Sequence, residues 1–138
     1  MFDKKKIEFA VKAFIIHQGK FLIMHKNGDE KDLWELPRGR LEFGETANET
    51  VIRELKEETG LMIEQLKIID TWDRIEENYQ ITGIIYLCSL KEGQVRLSDE
   101  HDNYKWIPIT SSSVNVLYDT FKNRMVHWDW AKINNGIW

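Results

Sequence analysis

Apolar positions crowd the first part of the chain without a helical period. Residues 7–17 are rich in Val, Ile and Phe, Gln18-Gly19-Lys20 supplies a turn, and residues 21–25 resume the run, which predicts a β-hairpin. Asn27-Gly28-Asp29 marks a second turn, and a charged loop leads to Trp34-Glu35-Leu36, a short strand ended by Pro37. Residues 39–44, with a glycine at each end, read as a loop. Beyond it the period changes. Ala47, Val51 and Leu55 recur at i, i+4 and i+8, behind Thr46 at an N-cap position with Glu49 three residues on, the spacing of a capping box. Gly60 stands where a helix C-terminal glycine belongs. Strand-like runs follow at 61–70, 79–90 and 105–107, and Val114, Leu117, Tyr118 and Phe121 predict a helix over 111–122. Strands, a helix, more strands and a second helix predict an α+β domain, with helices laid against a mixed or largely antiparallel sheet.

Composition narrows the class. A chain of 138 residues is expected to form one domain over 1–138, with no repeat or low-complexity linker to divide it. Its 42% apolar and 30% charged residues suit a globule rather than a disordered chain. The net charge of −4 gives no support for a surface that coats nucleic acid. The longest apolar stretch, 81–90, is far short of the roughly 20 residues that span a bilayer, so no membrane partner is expected. Lysines precede an apolar run at the start, as in a leader, but Lys12 interrupts the run and no small-residue cleavage site follows. A cytoplasmic protein is expected. Cys88 is the one cysteine, and its apolar neighbours predict a buried, inert thiol.

The segment GRLEFGETANETVIRELKEETGL, residues 39–61, is unlike the rest. On the predicted helix Glu54, Glu57 and Glu58 stand at i, i+3 and i+4, so their carboxylates share a face and repel, each pair at a cost of a few tenths of a kcal/mol. A divalent cation reverses the sign of that repulsion, and Mg²⁺ takes hard oxygen ligands alongside substrate phosphates. The competing reading is a solvated charged face opposite the Ala47, Val51 and Leu55 stripe. Gly39 and Gly44, which allow close backbone approach and offer a loop carbonyl to a cation, favour the first.

These residues resemble the Nudix box. Gly39, five residues, Glu45, seven residues, then Arg53-Glu54-Leu55-Lys56-Glu57-Glu58-Thr59-Gly60-Leu61 fit its pattern at every defined position. The lead-in Trp34-Glu35-Leu36-Pro37-Arg38-Gly39 is similar to the family's, except that Arg38 replaces a frequent glycine; it either restricts the loop or offers phosphate a further cation. The resemblance implies an α/β/α sandwich around a mixed β-sheet, with the box as loop–helix–loop. It implies a MutT-like pyrophosphohydrolase that uses Mg²⁺, with Mn²⁺ as a substitute, to cleave a phosphoanhydride in a nucleoside diphosphate linked to another moiety. By the same resemblance Glu54, Glu57, Glu58 and the Gly39 carbonyl form the metal set, while Arg53 and Glu45 orient it. Glu54 and Glu57 are also candidates for the general base. Glu100, before Tyr104-Lys105-Trp106 in a segment similar to one in many relatives, is a further base or ligand, and His101 beside it either touches phosphate or is a polar loop residue. The nucleotide is the expected partner, with a nucleoside triphosphate or dinucleoside polyphosphate favoured, and a homodimer is possible. The rival reading is a nucleotide- or nucleotide-sugar-sensing module, which commonly lacks box glutamates that are all present here. Trp34, Trp72 and Trp106 are expected to pack in the core, and the tail with Trp128, Trp130 and Trp138 to dock on its own domain.

Overall fold

Strand β1 (Lys6–His17) carries six consecutive buried residues, the mark of a strand covered on both faces. The computed structural model describes residues 4–138; residues 1–3, where the stretch weighed as a leader begins, lie outside them. Strand β2 (Lys20–Lys26) follows, then β3 (Arg38–Arg40), helix α1 (Ala47–Thr59), β4 (Met62–Ile75), β5 (Tyr79–Glu92) and β6 (His101–Pro108). The sheet runs β4-β5-β1-β2-β6, with β3 paired to β1. β1 and β5 are parallel while the other pairs are antiparallel, so the sheet is mixed. A 3₁₀ turn (Ser111–Val116) and two short helices, α2 (Asp119–Met125) and α3 (Trp130–Asn134), complete the chain.

Strand alternation sorts the core into two layers. Val11, Ile15, Leu22 and Met24 pack with Val51 and Leu55 of α1 on one face. Phe14, Phe21, Ile23 and Ile85 pack with Phe121, Met125 and Trp130 on the other. The result is the expected α+β class, a mixed sheet sandwiched between helices. Helix α1 has both halves of its capping box, with Glu49 N–H donating to Thr46 Oγ1 and Thr46 N–H to Glu49 Oε1, each 3.1 Å. Gly60 closes it in the left-handed conformation.

Three expectations need correction. Residues 34–36 are not a strand: Glu35 exchanges two backbone hydrogen bonds with Met24, Trp34 bridges Leu117, and Pro37 has no N–H to carry the ladder on. Gly39 does not open a loop but lies in β3, opposite Val11. The helix expected over 111–122 is broken, because Leu117 and Tyr118 are extended and Tyr118 N–H donates to the Trp34 carbonyl at 3.1 Å. The spacing of Val114, Leu117 and Phe121 reports a common buried side, served by two short pieces instead of one helix. Trp34 and Trp72 are buried, and Trp106 packs partly buried against the α1 layer. In the tail Trp130 is buried and Trp128 partly buried in the opposite layer, with Phe14 and Phe121, whereas Trp138 is exposed. Among the described residues no helix is long and apolar enough to cross a membrane.

Candidate active site

Helix α1 lies so close to β3 that a Cβ on Gly39 would sit 2.2 Å from Glu54 Cγ. Only a glycine leaves that space, and it brings the β3 backbone against the acid-bearing face of the helix. Arg53 is the hub of that face. Its Nε and Nη2 donate to Glu45 at 2.6 and 2.9 Å, a bidentate pair, while Nη1 reaches Glu54 at 2.7 Å and Glu57 at 3.2 Å. Nη2 also donates to the Arg40 carbonyl at 3.2 Å, tying helix to strand. The Arg53 guanidinium and the Thr50 hydroxyl together hold the Glu45 carboxyl down at about 2. One cation thus offsets the repulsion among several carboxylates and sets their directions.

Glu58, one turn on from Glu54, points elsewhere. It is 5% exposed, and burial pushes its carboxyl up from the usual carboxylate range. Glu58 Oε1 lies 3.2 Å from His101 Nδ1, but the approach lacks hydrogen-bond geometry, and both atoms are buried without a partner. The other ring nitrogen of His101 meets Glu35 Oε1 at 3.3 Å. Ligand atoms of Glu58, Glu100 and His101 all fall within 4.8 Å of one another. The 98–102 segment is brought there by Asn27, whose backbone N–H donates to the Glu100 carbonyl at 2.7 Å and whose side chain donates to the Asp99 carbonyl at 3.1 Å. His25 and Asp102 add a 2.6 Å contact. The structure therefore places Gly39, Glu45, Arg53, Glu54 and Glu57 in one linked group, and Glu58 with Glu100 in a second group on the same helix's flank.

The donors fit a divalent cation. Two orphaned buried atoms stand beside an exposed carboxylate, and carboxylate oxygens are the ligands that Mg²⁺ prefers. Glu100 and His101 also line a cleft shared with Lys26, Glu35 and Arg38. Sequence reasoning did not assign Glu35 or Lys12. Lys12 is 2% exposed, with its ammonium 5.0 Å from the Trp72 ring centre and 4.7 Å from that of Phe121. Burial lowers its pKa, opposed by the nearby Glu35 charge. For Glu35, burial acts to raise the pKa, but Lys12 and His101 outweigh it and hold the carboxyl down at about 2. A lysine amid Ala-Val and Ala-Phe-Ile-Ile was the available signal for Lys12, and a glutamate between Trp34 and Leu36 was the signal for Glu35.

Mixed sheet, close-packed glycine strand and acid-bearing helix together define an α/β/α sandwich with a candidate cation centre at a cleft lined by both basic (Lys26, Arg38) and acidic (Glu35, Asp99, Glu100) side chains. The chain belongs to the NUDIX domain family, whose model matches residues 7–128. A bis(5'-nucleosyl)-tetraphosphatase [asymmetrical] of Mus musculus is 40% identical over 81 residues, 54% of this chain and 54% of that protein. The matched part is thus about half the length of that relative. An ADP-ribose pyrophosphatase of Methanocaldococcus jannaschii is 28% identical over 130 residues, 92% of this chain and 75% of that one. Among solved structures, a MutT protein from Methanosarcina mazei Go1 superposes with a TM-score of 0.79 at 23% identity, covering 97% of this chain and 99% of that chain. That likeness shows the fold.

Proposed function

We propose that this protein hydrolyses a phosphoanhydride bond in a nucleoside diphosphate linked to a further group, with Mg²⁺ as cofactor and Mn²⁺ as a working substitute. The reading is carried by the partnerless buried oxygen of Glu58 beside Glu100 and His101, at a cleft lined by Lys26 and Arg38. Glu58 would hold the cation from the side of Glu100 and His101, and Glu54, Glu57 and the Gly39 carbonyl, the set that the box resemblance implies, would complete its ligands. When bound, it neutralises charge on the phosphate chain and lowers the pKa of a coordinated water. Arg53 and Glu45 keep the helix carboxylates pointed toward it. Glu100 accepts the proton of the attacking water, its exposed carboxylate standing next to Glu58. Lys26 and Arg38 draw the anionic chain into the cleft.

Nucleoside triphosphates or dinucleoside polyphosphates are the favoured substrates. Support comes from the mouse relative, whose name specifies a tetraphosphate bridge and whose identity exceeds that of the ADP-ribose relative. A phosphate-release screen over nucleotides in Mg²⁺ and in Mn²⁺ tests the reading. Turnover abolished by chelator is expected; binding without turnover of any compound would replace hydrolysis by sensing.

A further inference from the structure

The His101 ring presents its two nitrogens to two different carboxylates, and the two contacts differ in kind. Nε2 meets Glu35 Oε1 at 3.3 Å with hydrogen-bond geometry. An ionised carboxylate only accepts, so Nε2 carries the proton. On a neutral ring that leaves Nδ1 with a bare lone pair, 3.2 Å from Glu58 Oε1. A second proton on Nδ1 would have to be donated to Glu58, but the approach is misaligned and both atoms are buried without a hydrogen-bond partner. Two buried lone pairs set against each other repel, and in a low-dielectric interior that repulsion is costly. A cation between them removes it. Metal bonds to nitrogen and oxygen of about 2.0–2.2 Å put neighbouring ligands about 3 Å apart, close to the spacing found. Metal-bound histidines as a rule donate their other N–H to a carboxylate or carbonyl, which fixes the tautomer and the direction of the ring, and Glu35 stands in that place. With its side chain 1% exposed, His101 is held in this orientation before any ion arrives.

We propose that His101 Nδ1 is a nitrogen ligand to the cation that Glu58 holds, oriented by Glu35, and that this centre therefore prefers a transition-metal ion such as Mn²⁺ to Mg²⁺. This rests on the metal-dependent hydrolase reading above and deepens it, by naming a ligand outside the box and the class of ion it selects. Mg²⁺ takes hard oxygen ligands, whereas imidazole suits the softer first-row ions, so one nitrogen among carboxylates shifts the balance. Glu100, whose carboxylate lies within the same 4.8 Å cluster, stays available for the proton of the attacking water. The ion enters through the cleft that Glu100 and His101 line.

Pulsed electron paramagnetic resonance of the Mn²⁺-loaded protein reads the ligand directly, with no substrate present. The wild type should show hyperfine coupling to an imidazole nitrogen, and isotopic labelling of histidine nitrogen should change that coupling. In His101→Gln, whose amide still offers a donor to Glu35, the coupling should vanish. Calorimetric titrations of the same variant should show the preference for Mn²⁺ over Mg²⁺ falling about tenfold or more. Thermal melts establish that the variant is folded, and the labelled wild-type spectrum decides the question without it. Mn²⁺ bound with no nitrogen coupling, or a coupling that survives in folded His101→Gln, would overturn the inference and leave the hydrolase reading intact. A failed phosphate-release screen removes that reading instead, while the spectrum still decides the ligand.

Discussion

Gly39 needs its hydrogen for space and not for backbone freedom, since a methyl group there would meet Glu54 Cβ at 2.4 Å as well as Cγ. Gly39→Ala must push β3 and α1 apart, and we expect a loss of about 1–3 kcal/mol in a denaturant melt, as overpacked sites show. Glu57 is different, being exposed and held only by Arg53 at 3.2 Å. Glu57→Gln should leave the melting temperature nearly unchanged, because such exposed pairs contribute little, yet weaken Mg²⁺ binding and cut turnover by orders of magnitude. Near-normal turnover in that variant would remove Glu57 from the metal set. Leu55→Ala is its counterpart: fully buried beneath the same helix, it should cost about 2–5 kcal/mol. For Glu100→Gln we expect kcat to drop by about 10²–10⁴ with KM and Mg²⁺ requirement little altered, the pattern of a lost proton acceptor. A raised Mg²⁺ requirement would make Glu100 a ligand instead. Cys88, buried among apolar neighbours with its thiol pushed up to about 12 by burial, takes no part in this chemistry.

Helix α1 owes its position to both ends and to one stripe. Thr46 and Glu49 satisfy two donors at its start, Gly60 N–H donates to the Lys56 carbonyl at 2.9 Å at its end, and Val51 with Leu55 presses it on the sheet. Thr46→Ala removes a cap worth about 1 kcal/mol, and a thermal melt should show that loss without changing the burial of Val51 or Leu55. Most of this element was legible beforehand, because capping and i, i+4 spacing are local. The short helices after β6 were not. The spacing of 114, 117, 118 and 121 fits one helix, but Trp34 takes Tyr118 N–H into a bridge more than eighty residues away in sequence, and no local propensity encodes that contact.

At the scale of the molecule, the tail is fastened to the sheet through Asp70. Arg124 donates to one oxygen at 2.6 Å and Trp128 Nε1 to the other at 2.8 Å. Burial works to raise the Asp70 pKa, but these donors outweigh it and hold the carboxyl below the usual aspartate range. A carboxyl so lowered stabilises the docked tail fully above the ordinary value of about 3.8, and the contribution disappears as pH falls through the folded value. On acidification, tryptophan fluorescence should therefore report loosening of Trp128 below about pH 4, and Asp70→Asn should abolish that pH-dependent step. A fluorescence profile identical in the variant would show that another group governs the tail.

By itself the sequence determined the features set by neighbours along the chain: the spacing from Gly39 to Leu61, the caps and buried stripe of α1, and the i, i+4 pair of Arg53 with Glu57. Helical period and capping need no knowledge of the rest of the fold. Strand alternation also separated faces in β1, since Phe14 and Val11 fall on opposite sides whatever lies beyond them. Tertiary structure alone decided which face met which partner. His101 reaches Glu35 across 66 residues, Lys12 lies between Trp72 and Phe121, and Arg38 opens onto two clefts at once. Those contacts depend on β1 pairing in parallel with β5 and on β2 splaying from β1 to join β6, long-range choices made by burial of the whole sheet and not by any segment within it.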